Sequence, residues 1–430
     1  MKEMTVQQIK RKRMQYLVYS AFTLLFCGLG YGFSLFVAPI TLTYGLDKAA
    51  VATTFNIILI SNCIGGISGS QILQRIGIKK DLLLSASLFL IGFLVTALFS
   101  YGNVWVVYIF YGVVYGFGSG LAYNGVIAAT NLWWPDRIGF SSGTQLMCFG
   151  FGTLILGTLA SSLIGVFGLP PVFIGIGAAA FACLIFGALF LSKPPENINA
   201  LMVPSAAGET RQEDAYDPAD EDSPLKSITF YAYYALASVM GACGATIVGS
   251  IVADAEMIGI ATAIATLLVG FQSTVNGLSR LGIGAIFDKI GTTGTVVLCM
   301  GAAVVAAGTM TLAMMTGIQW LYYIGLFCCG VFYGGFPVIT TSFIRKRYGM
   351  KHYPFNLSLG NACVIFGSII NMIIVGVVGA QNRMTIFFVV FVLVIIAAFI
   401  SVFFLRRLKK DFVRLDERRA EHDAQVATAK

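Results

Sequence analysis

The sequence predicts an all-α membrane protein with twelve transmembrane helices arranged as two six-helix pseudo-repeats. Three observations predict it: composition, hydropathy patterning and internal similarity. Of the 430 residues, 57% are hydrophobic and only 11% are charged, with a mean hydropathy of +0.83. A soluble domain is about a quarter charged, so this surface is built to meet lipid. Apolar stretches long enough to cross roughly 30 Å of hydrocarbon recur along the whole chain. Two segments of the first half also return in the second.

Charges and Gly/Pro turns divide the apolar runs into spans at about 16–40, 49–73, 81–100, 104–130, 140–166, 170–192, 227–252, 258–286, 293–315, 318–342, 355–379 and 383–405. The basic start, MKEMTVQQIKRKRMQ, precedes a long apolar segment without a small-residue cleavage site, which reads as a retained first span. An even number of spans puts both termini on one side. The loops and tails of that side hold 25 of the 28 Lys and Arg residues, whereas the other side keeps Lys48 and Arg383. The positive-inside rule therefore predicts cytoplasmic termini in a cell (inner) membrane.

The predicted organisation is a cytoplasmic tail (1–15), a six-helix bundle (16–192), a linker (193–226), a second bundle (227–405) and a second tail (406–430). The linker carries eight acids against three bases and few apolar residues, a composition that favours a solvated, mobile segment. The nine cysteines lie in apolar segments without a CxxC pair, and the two histidines fall in a loop and in the tail. No cofactor, metal site or nucleic-acid partner is expected. The expected partners are a small organic anion, the lipid bilayer and, as one option for coupling, protons; one chain is expected to be the working unit.

GVVYG at 112–116 is answered by GVFYG at 330–334, and SQILQRIGIKK at 70–80 by GAIFDKIGTTG at 284–294. The two matches share nearly one offset along the chain, which suggests a duplicated six-helix unit. Parallel repeats of this kind are a transporter design, with substrate expected at the repeat interface near the membrane midplane.

Twelve spans, a long central loop and a G-x-x-x-D-[RK]-x-G element resemble the major facilitator superfamily. Gly284, Asp288, Lys289 and Gly291 fit that element in the second copy, a gating motif in the family; the first copy carries Gln74 where the acid stands. GFGSGLAYNGVIAATNLWWPDRIGFSSG at 116–143 is similar to the oxalate/formate antiporter family, itself related to the monocarboxylate transporters. The resemblance implies the major facilitator fold and transport of a carboxylate.

Arg280 lies inside the eighth apolar run, about 12 Å along the helix from Asp288. An arginine there costs roughly 2.5–3.5 kcal/mol on insertion scales, which calls for a reason. Gln272, Asn276 and Arg280 repeat every four residues and form one polar stripe. Lipid satisfies none of its hydrogen bonds, so the stripe must face protein or water. A guanidinium is suited to a bidentate, charge-assisted contact with an anionic substrate. By the resemblance, Asn276 and Arg280 match the family's anion-binding positions in this helix.

No other Lys, Arg, Asp, Glu or His falls clearly inside a predicted span. Oxalate-exchanging relatives have a second base in the eleventh helix, where this chain offers Asn361. One buried positive charge balances one carboxylate, so the reading favours a monocarboxylate such as formate, lactate or pyruvate. Tyr31, Tyr115, Tyr123 and Tyr333, with Phe332 and Phe336, are candidates for the rest of the site, since a Tyr joins an apolar wall to one hydrogen bond. Tyr115 and Tyr333 hold matching places in the two GVxYG copies. Asp254 and Glu256 are candidates for proton coupling, although exposed acids at a helix end offer a plainer reading. Asn276 stands where proton-coupled monocarboxylate transporters often have an Asp, which leaves symport and anion exchange both open. The alternatives are an oxalate/formate-type dicarboxylate antiporter and a transporter-like membrane sensor. An intramembrane enzyme is disfavoured, because the spans lack a His, an acid or a catalytic pair.

Overall fold

The computed structural model describes residues 5–195, 198–202, 218–379 and 382–428. Among the described residues, ten helices are each long and apolar enough to cross a membrane. One of them, Leu267–Thr316, has 50 residues. At 1.5 Å per residue that is about 75 Å, enough for two crossings. Gly291, at φ 67°, turns the chain inside it and parts the eighth span from the ninth. The first crossing is assembled from Val6–Gly28, a 3-10 turn at Leu29–Gly32, and Ser34–Tyr44. Twelve crossings result.

Chain contacts divide the protein into two compact units, residues 1–136 with 144–208, and 137–143 with 209–430. The first turns of the helix Ile138–Gly152 thus pack with the second unit. The linker departs in part from the solvated segment its composition suggests. Residues 203–217 lie outside the described residues, but Pro218–Glu221 and Pro224–Lys226 form 3-10 turns held on the second unit. Asp222 accepts from Arg347 at 2.6 Å and from Arg418 at 3.1 Å, and Asp220 accepts from the Met350 amide at 2.6 Å. The last helix also continues beyond its apolar part, to Thr428.

The duplication is visible in the backbone. Left-handed glycines turn the chain at 45 and 259, 77 and 291, 102 and 317, and 168 and 379. These pairs keep nearly one spacing along the chain, so equivalent connections of the two halves need the same sterically restricted conformation. Helix crossings repeat at that spacing too. A Cβ on Gly120 would lie 2.0 Å from the Asn62 carbonyl oxygen, and one on Gly334 would lie 2.4 Å from that of Asn276. Gly120 and Gly334 are as far apart in sequence as Asn62 and Asn276. Small residues at these points let two backbones touch.

In the first unit, Tyr111, Tyr115, Phe89, Phe93 and Phe173 form a buried aromatic cluster with ring centroids 4.8–5.6 Å apart. The WWPDR segment has a clear structural task. Asp136 pairs with Arg13 at 2.6 Å, the Arg13 guanidinium lies over the Trp134 ring at 4.2 Å, and Trp133 Nε1 donates to the Ser192 carbonyl at 3.0 Å. The motif fastens the first helix to the end of the sixth, Leu169–Phe190.

Candidate functional site

The eighth span carries the polar stripe as one face of the helix Thr262–Thr316. Gln272 is buried, and its Nε2 donates to Cys329 Sγ at 3.5 Å. Two turns on, Arg280 Nε donates to Asn276 Oδ1 at 3.2 Å. Both residues are half-buried. The i, i+4 bond directs the guanidinium along the stripe and gives Asn276 a task that an alanine could not perform.

The tenth span, Gln319–Tyr348, crosses this stretch closely. Ser279 Oγ donates to the Gly330 carbonyl at 2.9 Å, and the bare Gly334 faces Asn276. Tyr333 lies within electrostatic reach of Arg280. Its ring lies on the seventh span, Ile228–Val248, where a Cβ on Gly244 would come within 2.2 Å of it. Arg280, Asn276 and Tyr333 are therefore brought together within one unit. Phe332 and Phe336 are buried in the same helix, 1% and 5% exposed. Asn361 ends the helix Tyr353–Asn361, and the chain resumes as Cys363–Val378, so it stands half-buried at a break in the eleventh span.

Three further sequence-predicted residues, Tyr31, Tyr115 and Tyr123, belong to the first unit. In the first unit, Tyr115 belongs to the aromatic cluster and is fully buried. The backbone crossings pair Gly120 with Gly334, which shifts the GVxYG motifs by one helical turn relative to their sequence match. Tyr115 and Tyr333 consequently do not hold equivalent places. Tyr123 is half-buried, with its ring 4.9 Å from that of Phe149. Tyr31 lies in the 3-10 turn of the first span, and its side chain is outside the described residues.

At the end of the eighth span, Asp288 caps a helix. Its two carboxylate oxygens accept from the backbone amides of Gly139 and Phe140 at 2.8 and 2.7 Å. An anion at a helix N-terminus satisfies orphan donors and the helix dipole together. Gly284 faces Gly139, and Gly143 faces the Arg280 carbonyl, where a Cβ would lie 2.5 Å away. Lys289 is exposed, and Gly291 makes the turn that follows.

Asp254 differs from the exposed helix-end acid that its sequence context suggests. It is 0% exposed and meets Arg383 Nε at 2.5 Å and Nη2 at 3.0 Å, with Ser250 donating to it at 2.7 Å. Burial pushes its carboxyl above the usual carboxylate range, against the pull of the Arg383 guanidinium and the Ser250 hydroxyl. Glu256 on the same short helix, Ile251–Met257, is exposed. The sequence signal for the pair is the rarity of bases in the loops opposite the termini, where Arg383 is one of two. A further acid, Asp81, is 1% exposed and lies against Gly125, and among the described residues neither carboxylate oxygen has a hydrogen-bond partner. It heads an apolar run, and its placement at a span boundary hid it.

A family model described as Major Facilitator Superfamily matches residues 20–353. The chain is 26% identical over 364 residues to a protein named Oxalate:formate antiporter from Oxalobacter formigenes, covering 83% of each. It is 23% identical over 378 residues to the uncharacterized MFS-type transporter YhjX of Escherichia coli K12, covering 84% of this chain and 88% of YhjX. Among solved structures, the proton:xylose symporter XylE superposes with a TM-score of 0.71 at 13% identity, over 92% of this chain and 96% of XylE. FucP in its outward conformation gives 0.66 at 12% identity, over 92% of this chain and 99% of FucP. At such identities the structural likeness speaks for the fold. With twelve crossings, two repeats and a family match over most of its length, this chain belongs to the major facilitator superfamily, and it is a membrane transporter rather than an enzyme.

Proposed function

We propose that the protein carries small carboxylate anions by alternating access, a monocarboxylate such as formate, lactate or pyruvate before a dicarboxylate. The observation that carries this reading is Arg280, half-buried midway along the eighth span, hydrogen-bonded to Asn276 and within electrostatic range of Tyr333. A guanidinium and a phenol beside apolar helix surface suit a short acid with a hydrocarbon tail. The name of the Oxalobacter relative supports carboxylate as the cargo class.

Charge bookkeeping separates mono- from dicarboxylate. Between Tyr353 and Val378 the eleventh span has no base, and Asn361 stands where the oxalate-exchanging family carries one. A dianion at a single guanidinium would keep one charge uncompensated in a low-dielectric site. Oxalate–formate exchange is the second reading, favoured by the relative's name alone.

Exchange is favoured over proton symport. Asn276 replaces the acid expected beside the arginine of a proton-coupled carrier, Asp254 is already held by Arg383 and Ser250, and Glu256 is exposed. The distribution of Lys and Arg supports a cell-membrane protein with cytoplasmic termini. Asp288, capping the helix that starts at Ile138, supports a gating role for the Gly284–Gly291 motif.

Uptake of radiolabelled formate, lactate, pyruvate and oxalate into proteoliposomes tests the reading, with and without internal anion and with an imposed proton gradient. Monocarboxylate uptake that requires internal anion is expected. Uptake of oxalate alone would select the second reading, and uptake driven by the proton gradient into empty vesicles would select symport. Uptake of none of the four would overturn carboxylate transport.

A further inference from the structure

One cavity lies away from Arg280, at the end of the second unit where the seventh span begins and the twelfth leaves its apolar run. Its volume is about 410 Å³. Its acids are Glu221, Asp222 and Asp411, and all three are engaged. Arg347 holds Asp222 at 2.6 Å and Asp411 at 2.9 Å; Arg418 holds Glu221 at 2.5 Å and Asp222 at 3.1 Å. Three further bases line the same space: Lys226, Arg407 and Arg414. Among the described residues no acid pairs with any of the three. The cavity therefore carries five bases against three acids, and the surplus faces the open space.

Its position is as informative as its charge. The apolar run of the twelfth span ends at Leu405, two residues before Arg407. The seventh helix begins at Ile228, which lines the cavity and is 57% exposed; Tyr231, one turn on, is 53% exposed, as is Phe403 at 46% on the twelfth. These apolar surfaces continue from the cavity into the membrane-spanning part of both helices. Arg407 and Arg414 are two turns apart on one helix face, about 10 Å along the axis. A phosphate group between them would meet two guanidiniums suited to bidentate contact, while acyl chains followed the exposed apolar side chains.

We infer that this cavity binds the phosphate of an anionic phospholipid headgroup, held by Arg407, Arg414 and Lys226. The docked end of the acidic linker is part of the site: by neutralising Arg347 and Arg418 it confines the available positive charge to those three residues. A soluble phosphate could use the same contacts, but it would gain nothing from the apolar surface below them.

The test is lipid retention by the full chain, measured by native mass spectrometry after reconstitution in phosphatidylcholine with or without phosphatidylglycerol. The expected result is preferential retention of phosphatidylglycerol and a higher melting temperature in its presence. Each base near a membrane surface contributes about a fivefold gain for an anionic lipid, so Arg407→Gln with Arg414→Gln should weaken retention about thirtyfold. Arg406→Gln with Lys410→Gln removes two exposed bases of the same helix that do not line the cavity, and should change retention less than threefold. Arg407→Lys with Arg414→Lys keeps the charge and should keep most of the binding, which separates loss of the site from loss of the fold. Equal weakening by the Arg406/Lys410 variant would overturn the proposal in favour of a diffuse basic surface. Equal retention of phosphatidylcholine, or displacement of phosphatidylglycerol by millimolar inorganic phosphate, would overturn the lipid assignment.

Discussion

The second and eighth spans occupy the same place in the two repeats, and they do different things. Asn62 and Asn276 present their carbonyls to glycines of the fourth and tenth spans in the same way. Four residues further, the second span has Gly66 and the eighth has Arg280. A Cβ on Gly66 would lie 2.1 Å from Asn124 Nδ2, so the corresponding space in the first unit is filled by a neutral amide. Asn62 donates to Ser119 Oγ at 3.1 Å, whereas Asn276 accepts from Arg280. Eight residues beyond Gly66 stands Gln74, and eight beyond Arg280 stands Asp288. Backbone packing was duplicated with the repeat, and charge was placed in one copy. Packing at a helix crossing requires only small residues, so both copies retain it, whereas one charge in the membrane already needs a functional return.

If that division is right, substitutions in the eighth span should cost transport and their counterparts in the second should not. The largest effect is expected for Arg280→Ala. Carboxylate uptake should fall by about a thousandfold or more, the range for truncating one partner of a buried charge pair, with the melting temperature close to wild type. Arg383→Gln probes another charge confined to the second unit. It leaves Asp254 buried without its counter-ion, and should cost about 3 kcal/mol at neutral pH. Burial already lifts this carboxyl, and loss of Arg383 lifts it further. The penalty of the anion is therefore complete above the raised value and is relieved as pH falls toward the ordinary Asp range. Melting curves across pH should show the variant's deficit shrinking on acidification.

A smaller contrast is expected between the two asparagines. Asn276→Ala should weaken substrate binding about tenfold by releasing Arg280, the worth of one hydrogen bond to a charged group. Asn62→Ala should lower stability by about 1 kcal/mol and leave affinity within twofold. Asp288→Asn weakens a helix cap, at about 1 kcal/mol, and should slow uptake while leaving equilibrium binding unchanged. The smallest effect belongs to the tyrosines. Tyr115→Phe removes a hydroxyl from the aromatic cluster of the first unit and should be silent in uptake, whereas Tyr333→Phe should reduce affinity several-fold.

Much of this was legible in the sequence because membrane spans, loop charges and turn glycines are local signals. Arg280 stood out through its cost in an apolar run, and its i, i+4 link to Asn276 follows from helix geometry alone. That Tyr115 and Tyr333 hold different places in the two repeats was not legible. A short match such as GVVYG and GVFYG tolerates a slip of one turn, and only the helix crossings fix which register the backbones share. The Asp254–Arg383 pair was hidden for another reason: the two residues are far apart in sequence, and hydropathy reads both as loop charges. Asp81 sat at a span boundary, where composition cannot tell a buried acid from a solvated one. The linker's acids look alike in composition, yet Glu221 and Asp222 meet arginines whose positions depend on the folded second unit.

The central claim is that one guanidinium on one repeat holds the substrate carboxylate. Equilibrium binding of radiolabelled formate, lactate, pyruvate and oxalate to the purified protein in nanodiscs measures it directly, for the wild type and for Arg280→Ala. The account predicts that a monocarboxylate binds the wild type and competes out oxalate, and that Arg280→Ala binds none of the four while melting as the wild type does. Unchanged monocarboxylate binding by folded Arg280→Ala would contradict it.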